Sequence, residues 1–201
     1  MIENIKWLGH AGFKIKGEKV VYIDPFKINE TEQADIIIIT HEHFDHLSPE
    51  DIKKIQTEKT VIVVTPDCAP KVSGNVKTIS PGKTLSIDGI KIEAVPAYNS
   101  NKNFHLKENN WIGVIITING KRIYHAGDTD NISEMSSLKN IDVAMLPVSG
   151  IYVMTAEEAA DAANRIMPKI AVPMHYGSIV GTKEDAEKFR RLCRCRAEIL
   201  G

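Results

Sequence analysis

The chain has 201 residues, 43% of them hydrophobic, with 25 basic against 26 acidic side chains and a formal net charge of −1. Bulk charge therefore gives no reason to expect a nucleic-acid or anionic-membrane partner, and no apolar run approaches the ~18 residues of a spanning helix. The length suits one domain over residues 1–201 with a sizeable core.

The first residues, Met1-Ile2-Glu3-Asn4-Ile5-Lys6-Trp7-Leu8, lack the long apolar stretch of a secretory leader, so a soluble cytoplasmic protein is the default expectation. Cys68, Cys193 and Cys195 match neither a zinc-knuckle nor a secreted disulfide spacing and read as structural. Strand-like runs dominate the first two-thirds: 13–16, 20–24, 36–40, 61–65, 76–79, 84–87, 90–94, 112–118 and 122–125. Lys16-Gly17, Pro81-Gly82, Asp88-Gly89 and Asn119-Gly120 punctuate them, and two of these turns read as hairpins. Helices are fewer. One opens at Ser48-Pro49-Glu50-Asp51, with an N-cap, a first-turn proline and early acids, and capping-box patterns begin at Asn131, Thr155 and Thr182. Strands at 143–146 and 170–174 interleave with the later helices, and the basic stretch Lys188 to Arg196 reads as the solvated face of the last one. Many strands with helices between the later ones predict two sheets covered outside by helices.

The densest chemistry lies in Thr40-His41-Glu42-His43-Phe44-Asp45-His46, where three imidazoles and a carboxylate fall within six residues. Such an H-x-H-x-D-H run is hard to explain except as a metal site. The block Ala34 to Thr40 reads as a fully buried strand that delivers it. An extended backbone through 41–43 would turn His41 and His43 to one side, leaving Asp45 and His46 for a second ion. Further donors belong at other strand ends, where α/β sites assemble: Asp128 in His125-Ala126-Gly127-Asp128-Thr129, and His175 after Val172-Pro173-Met174.

The order Asp24-Pro25, His41-x-His43-x-Asp45-His46, Gly127-Asp128-Thr129 and His175 resembles the metallo-β-lactamase superfamily over essentially the whole chain. Trp7-Leu8-Gly9-His10-Ala11-Gly12-Phe13 and Tyr124 to Thr129 look like the branch holding ascorbate-6-phosphate lactonase-like and NAPE-phospholipase-D-like hydrolases. The resemblance implies an αββα sandwich of two mixed sheets with metals at one edge. It places His41 and His43 on a first ion, Asp45, His46 and His175 on a second, and Asp128 between them. Where many relatives carry the first ion's third histidine, this chain has Tyr98-Asn99-Ser100. His105 is the expected donor, with a Tyr98 phenolate or a single strongly held metal as alternatives. His10, His125 and Asp24 are expected beside the ligands, orienting them or touching substrate. Tyr98, Tyr176 and Lys102 are candidate substrate contacts.

Imidazole and carboxylate donors suit Zn²⁺, Mn²⁺ or Fe, with zinc the commonest. The expectation is a metal-dependent, dinuclear hydrolase in which a metal-bound hydroxide, oriented by Asp45, cleaves a phosphodiester, lactone or related ester of a small molecule. The alternatives are an iron oxidoreductase on the same fold and a metal-binding module without turnover. The diiron version is disfavoured because its usual second ligand is a carboxylate where His43 stands. Neither a nucleic-acid nor a membrane-spanning role is expected, and homo-oligomerisation is left open.

Overall fold

The computed structural model describes residues 2–201. The first half forms β1 (Ile5–Gly9), β2 (Gly12–Lys16), β3 (Val20–Ile23), β4 (Ile36–Ile39), α1 (Pro49–Ile55), β5 (Val61–Val64) and β6 (Asn75–Thr78). These six strands make one sheet in chain order, antiparallel from β1 to β3 and parallel from β3 to β6. The second half forms β7 (Thr84–Ile87), β8 (Ile90–Pro96), β9 (Ile112–Ile118), β10 (Lys121–His125), β11 (Val143–Pro147), α2 (Ala156–Ile166), β12 (Ile170–Met174), α3 (Lys183–Leu192) and β13 (Arg196–Ala197). Its seven strands run antiparallel from β7 to β10 and parallel from β10 to β13.

Side-chain alternation assigns each strand face to a layer. All four isoleucines of β4 are buried, which a strand allows only when both faces are covered. Ile36 and Ile38 join the core between the sheets, with Phe13, Ile15, Ile92, Val114 and Ile116. Ile37 and Ile39 point the other way, into a second core with Ile52 and Ile55 of α1. On the far side, α2 presents Ala159, Ala160, Ala162 and Ala163 to the second sheet, small residues that let helix and sheet approach closely. The result is the expected four-layer αββα sandwich.

Two hairpins turn on residues suited to left-handed backbone. Asp88-Gly89 has φ of 48° and 87°, and Asn119-Gly120 has 49° and 68°, the paired positive values of a type I′ turn. Thr155 and Thr182 each close a complete capping box, as expected.

Three local expectations change. The pattern at Asn131 opens no α-helix: a 3-10 turn, Ser133–Ser137, follows Ile132, whose side chain has no acceptor to cap it, and the Glu134 carboxylate accepts from the Tyr98 hydroxyl. The basic stretch does not stay helical. The helix stops at Leu192, and Arg196 and Ala197 add a short strand to the exposed edge of β12. An additional first strand, β1, pairs Trp7 with Phe13 despite its mixed polar pattern.

Asp51 ties α1 to the first sheet. Its carboxylate accepts from the backbone N–H groups of Lys27 at 2.8 Å and Ile28 at 3.1 Å, from Ser48 Oγ at 2.7 Å and from Lys54 Nζ at 2.8 Å. Burial alone would raise its pKa, but the Lys54 and Ser48 bonds and the two backbone donors hold it below the usual carboxylate value. With the folded value below the unfolded one, this stabilisation is present above the unfolded pKa of about 3.9 and is lost as pH falls through the folded value. Asp51→Ala is expected to cost about 2–3 kcal/mol in urea denaturation at neutral pH, since it strands buried donors. Asp51→Asn should also reduce the loss of stability on acidification below pH 4, and an unchanged acid limb would contradict this.

Candidate metal centre

The site assembles at one edge of the sandwich, past the C-terminal ends of parallel strands in both sheets. Asp24 follows β3, residues 41–46 follow β4, Asp128 follows β10, Ser149 follows β11 and His175 follows β12. His10 sits in the β1–β2 turn, and His105 in the connection from β8 to β9. A backbone bond crosses between the sheets here, from His175 N to the His10 carbonyl at 2.8 Å.

The backbone at residues 41–43 is not extended. β4 ends at Ile39, and 41–46 form a bend and a turn closed by His46 N and Leu47 N donating to the His43 carbonyl, at 3.0 and 2.8 Å. The turn, rather than strand alternation, brings the His41 and His43 rings to 4.7 Å, centroid to centroid.

Three overlapping sets have ligand atoms all within 4.8 Å of one another: His41, His43 and His105; His41, His46 and Asp128; and His10, Asp45, His46 and His175. Asp128 stands at the centre. Its Oδ2 is 3.0 Å from His175 Nε2, 3.2 Å from His105 Nε2 and 4.0 Å from His41 Nε2, and its Oδ1 is 3.3 Å from His46 Nε2. Gly127 makes this placement feasible: its φ is +64°, and a Cβ there would lie 2.5 Å from the Ile112 carbonyl oxygen.

Hydrogen bonds behind the rings set their tautomers. Thr40 Oγ donates to Asp24 Oδ2 at 2.6 Å, so it can accept from His41 Nδ1 at 3.0 Å. Asp24 Oδ2 also accepts from His46 Nδ1 at 2.8 Å, and the Tyr152 carbonyl accepts from His105 Nδ1 at 3.1 Å. In each ring this places a proton on Nδ1 and turns Nε2 toward Asp128. His175 Nδ1 lies 3.1 Å from Ser149 Oγ. Despite their closeness, His41 Nε2, His46 Nε2, His175 Nε2 and Asp128 Oδ1 are buried without a hydrogen-bond partner.

Buried polar atoms seldom remain unpaired. Donors bound to one ion at about 2.0–2.1 Å in tetrahedral geometry stand roughly 3.3–3.4 Å apart, close to the spacings around Asp128. The residues thus fit a divalent metal in spacing, tautomer and lack of other partners.

Four of the residues gathered here, His10, Asp24, His105 and His175, have φ of 50°, 44°, 55° and 61°. Backbone of this kind is sparsely populated by non-glycine residues and collects at functional sites.

The charges reinforce one another. Burial would raise the Asp128 pKa, but His175 and His46 hold it well below the carboxylate range. Burial would lower His46, yet the charges of Asp128 and Asp24 lift it well above an ordinary imidazole. His41 is pushed well down, by burial first and by its histidine neighbours second. Asp45, which accepts from His10 Nε2 at 2.9 Å, is lowered because that bond and the His46 charge outweigh burial.

The remaining expectations separate. Tyr98 gives its hydroxyl to Glu134, at 3.0 Å from both carboxylate oxygens, and the structure brings His105 rather than Tyr98 to His41 and His43. Lys102 is ion-paired with Asp130, and Tyr176 is buried, stacked on Trp7 at 4.8 Å. His125 is fully buried: it donates from Nε2 to the Ala11 carbonyl at 2.8 Å and accepts at Nδ1 from Gly127 N at 3.1 Å, bracing the turn that carries Asp128. Sequence reasoning missed Thr40, Ser149, Tyr152 and Trp111. The Trp111 ring lies 4.8 Å from both His41 and His43 and 5.6 Å from His105, anchored by its Nε1 to Asp67. Only Thr40, inside the histidine run, carried a signal.

Two mixed sheets in an αββα sandwich, with histidines and aspartates gathered at one edge, define a metallo-β-lactamase fold protein. The chain belongs to the family described as Beta-lactamase superfamily domain, which matches residues 4–175. It is 36% identical to the UPF0173 metal-dependent hydrolase of Pyrococcus abyssi, over 98% of this chain and 94% of the relative. A similar protein from Thermococcus kodakarensis, of the same description, is 37% identical over the same shares. Among solved structures, a Parabacteroides distasonis protein assigned as a metal-dependent hydrolase superposes with a TM-score of 0.88 at 35% identity, covering 97% of this chain and 91% of its own. CmlA, a diiron β-hydroxylase from Streptomyces venezuelae, shares the fold alone, with a TM-score of 0.78 at 14% identity over 98% of this chain and 52% of its own.

Thr40→Val keeps the side-chain shape but breaks the Asp24–Thr40–His41 chain, and is expected to weaken metal binding about 10–100-fold. Titration of the metal-stripped protein with Zn²⁺ or Mn²⁺ measures this. Tyr98→Phe should leave affinity unchanged and His105→Ala should reduce it. The reverse order would return the missing donor to Tyr98.

Proposed function

We propose that this protein is a metal-dependent hydrolase that binds two divalent ions. His41, His43 and His105 would hold one, Asp45, His46 and His175 the other, and Asp128 would stand between them. The observation that carries this reading is the set of bare, buried Nε2 atoms converging on Asp128 at the inner end of a surface cleft. The relatives' description as metal-dependent hydrolases supports it. Zinc is the first candidate metal, with manganese and iron compatible with the same donors. Bound there, such ions would acidify a water molecule and polarise the bond under attack.

The chain's own residues supply the rest. Asp45 lines the cleft and is kept ionised by the bond from His10, so its carboxylate is available to orient a water and accept its proton. Water adds to the carbonyl or phosphoryl centre, the bond to the leaving oxygen breaks, and the proton held by Asp45 passes to that oxygen. Asp24, Thr40, Ser149 and the Tyr152 carbonyl keep the imidazoles in register. No side-chain nucleophile is needed, because the water itself attacks, and Ser149 serves to orient the His175 ring.

Metal analysis of purified protein, paired with hydrolysis assays on bis-p-nitrophenyl phosphate, carboxylic esters and lactones, tests the proposal. Two zinc or manganese ions per chain with metal-dependent turnover are expected. Asp45→Ala should lower kcat by about 10²–10⁴-fold, the usual range for a positioned proton acceptor, while binding metal weakly or not at all at the second position. One iron per chain with oxygen consumption and no hydrolysis would overturn it in favour of an oxidoreductase.

A further inference from the structure

Seven large hydrophobic residues are exposed among the described residues, and three of them, Phe44, Phe104 and Ile179, line the cleft over the histidine cluster. Their exposures are 68%, 49% and 39%, high for side chains of this type. They come from three separate segments: the turn inside the metal-binding run, the connection bearing His105, and the loop after His175. Two are fixed by aromatic contacts, Phe104 edge-on to Tyr152 at 5.0 Å and Phe44 edge-on to Phe26 at 5.8 Å. Contiguous exposed apolar surface beside a polar site marks a place that a ligand covers.

The charge around this cleft is equally selective. No Lys or Arg lines it. Of the cations around it, Lys71 is paired with Glu42, Lys102 with Asp130 and Lys107 with Glu134, and Lys27 lies outside the lining, over the Phe26 ring at 5.0 Å. An anionic group placed away from the metals, such as a terminal phosphate, would find among the lining residues no cationic partner of the kind that normally holds one. The cleft is about 280 Å³, roughly twice the ~150 Å³ cavity that accommodates benzene, which leaves space for one ring or a short chain beside the reacting group.

We propose that the substrate is a carboxylic ester or lactone bearing an uncharged apolar substituent, an aryl ring or a short alkyl chain, seated against Phe44, Phe104, Tyr152 and Ile179. The assignment rests on the hydrolase reading above and narrows it away from phosphorylated substrates. Burying each added methylene in this cleft strengthens transition-state binding, and the surface now exposed is covered in the same step.

The test uses the metal-loaded protein and γ-lactones with alkyl tails from one to five carbons, alongside a phosphate-terminated lactone of equal length. The expected kcat/KM rises about two- to fourfold per methylene until the cleft is full, and the phosphorylated compound is the poorest substrate. The double variant Phe104→Ala/Ile179→Ala should flatten that slope. A flat series in the unaltered protein, or preference for the phosphate, would overturn the proposal while leaving the hydrolase reading intact. Calorimetric binding of n-alkyl hydroxamic acids of increasing length separates the other case. Affinity that climbs with chain length without turnover of any ester or lactone would retain the apolar cleft and sink the hydrolase. Neither turnover nor a chain-length dependence would overturn both.

Discussion

A single buried carboxylate organises the histidine-lined edge of this protein. Asp128 is almost fully removed from water, yet it stays ionised because imidazoles from three other segments surround it. A carboxylate in that position with no partner would be very costly, and the Nε2 atoms of His41, His46 and His175 opposite it have no hydrogen-bond partner. Neither set is satisfied by the other, since several of the close approaches lack hydrogen-bond geometry. The unresolved demand on both sides is what a divalent cation would answer. Much of the local structure, from the left-handed Gly127 turn to the bond that ties His175 to His10, serves to hold these groups together.

Keeping them together requires rigid supports, and the fold provides them in layers. β4 is sealed on both faces, by the inter-sheet core and by α1, so the end of the strand is a fixed platform for residues 41–46. Asp24 at the neighbouring strand end then reaches both the Thr40 backbone and His46. One carboxylate thereby fixes the strand terminus and the tautomer of a candidate ligand together. Trp111 plays a comparable part from the opposite sheet, filling the space behind three imidazoles without offering a competing donor. This division of labour between ligating groups and the groups that orient them is common in metal sites.

The surface around the centre differs in character from the centre itself. Inside are charge and lone pairs; at the rim are Phe44, Phe104 and Ile179, with no cation among the lining residues. Such a gradient is what the proposed substrate, a reacting polar bond attached to an apolar body, would meet. Diiron and hydrolytic proteins share this fold, so the architecture alone cannot choose between them.

Much of this was legible in the sequence. The run at 41–46 announced a metal site because imidazole and carboxylate chemistry is dense there, and Asp128 and His175 stood out as polar residues directly after buried strands. Alternation and capping residues marked most strands and the helices at 49, 156 and 183 closely. The residues that complete the arrangement were silent for a common reason. Ser149, Tyr152 and Trp111 act through a hydroxyl, a backbone carbonyl and a ring face that any such residue carries anywhere in a chain. Position among neighbours distant in sequence gives them their roles. The same holds at His105 and Tyr98, seven residues apart: composition offered both as donors, and only folding brings His105, rather than Tyr98, beside His41 and His43. Asn99 N bonds to the His105 carbonyl, which closes the loop and turns the imidazole toward His43, while the Tyr98 hydroxyl finds Glu134. Residue type and local pattern thus determined that this protein has a metal centre on a two-sheet fold. Which donors meet, and what apolar surface stands over them, was decided by tertiary contacts, because the distances that matter are set by packing between segments a hundred residues apart.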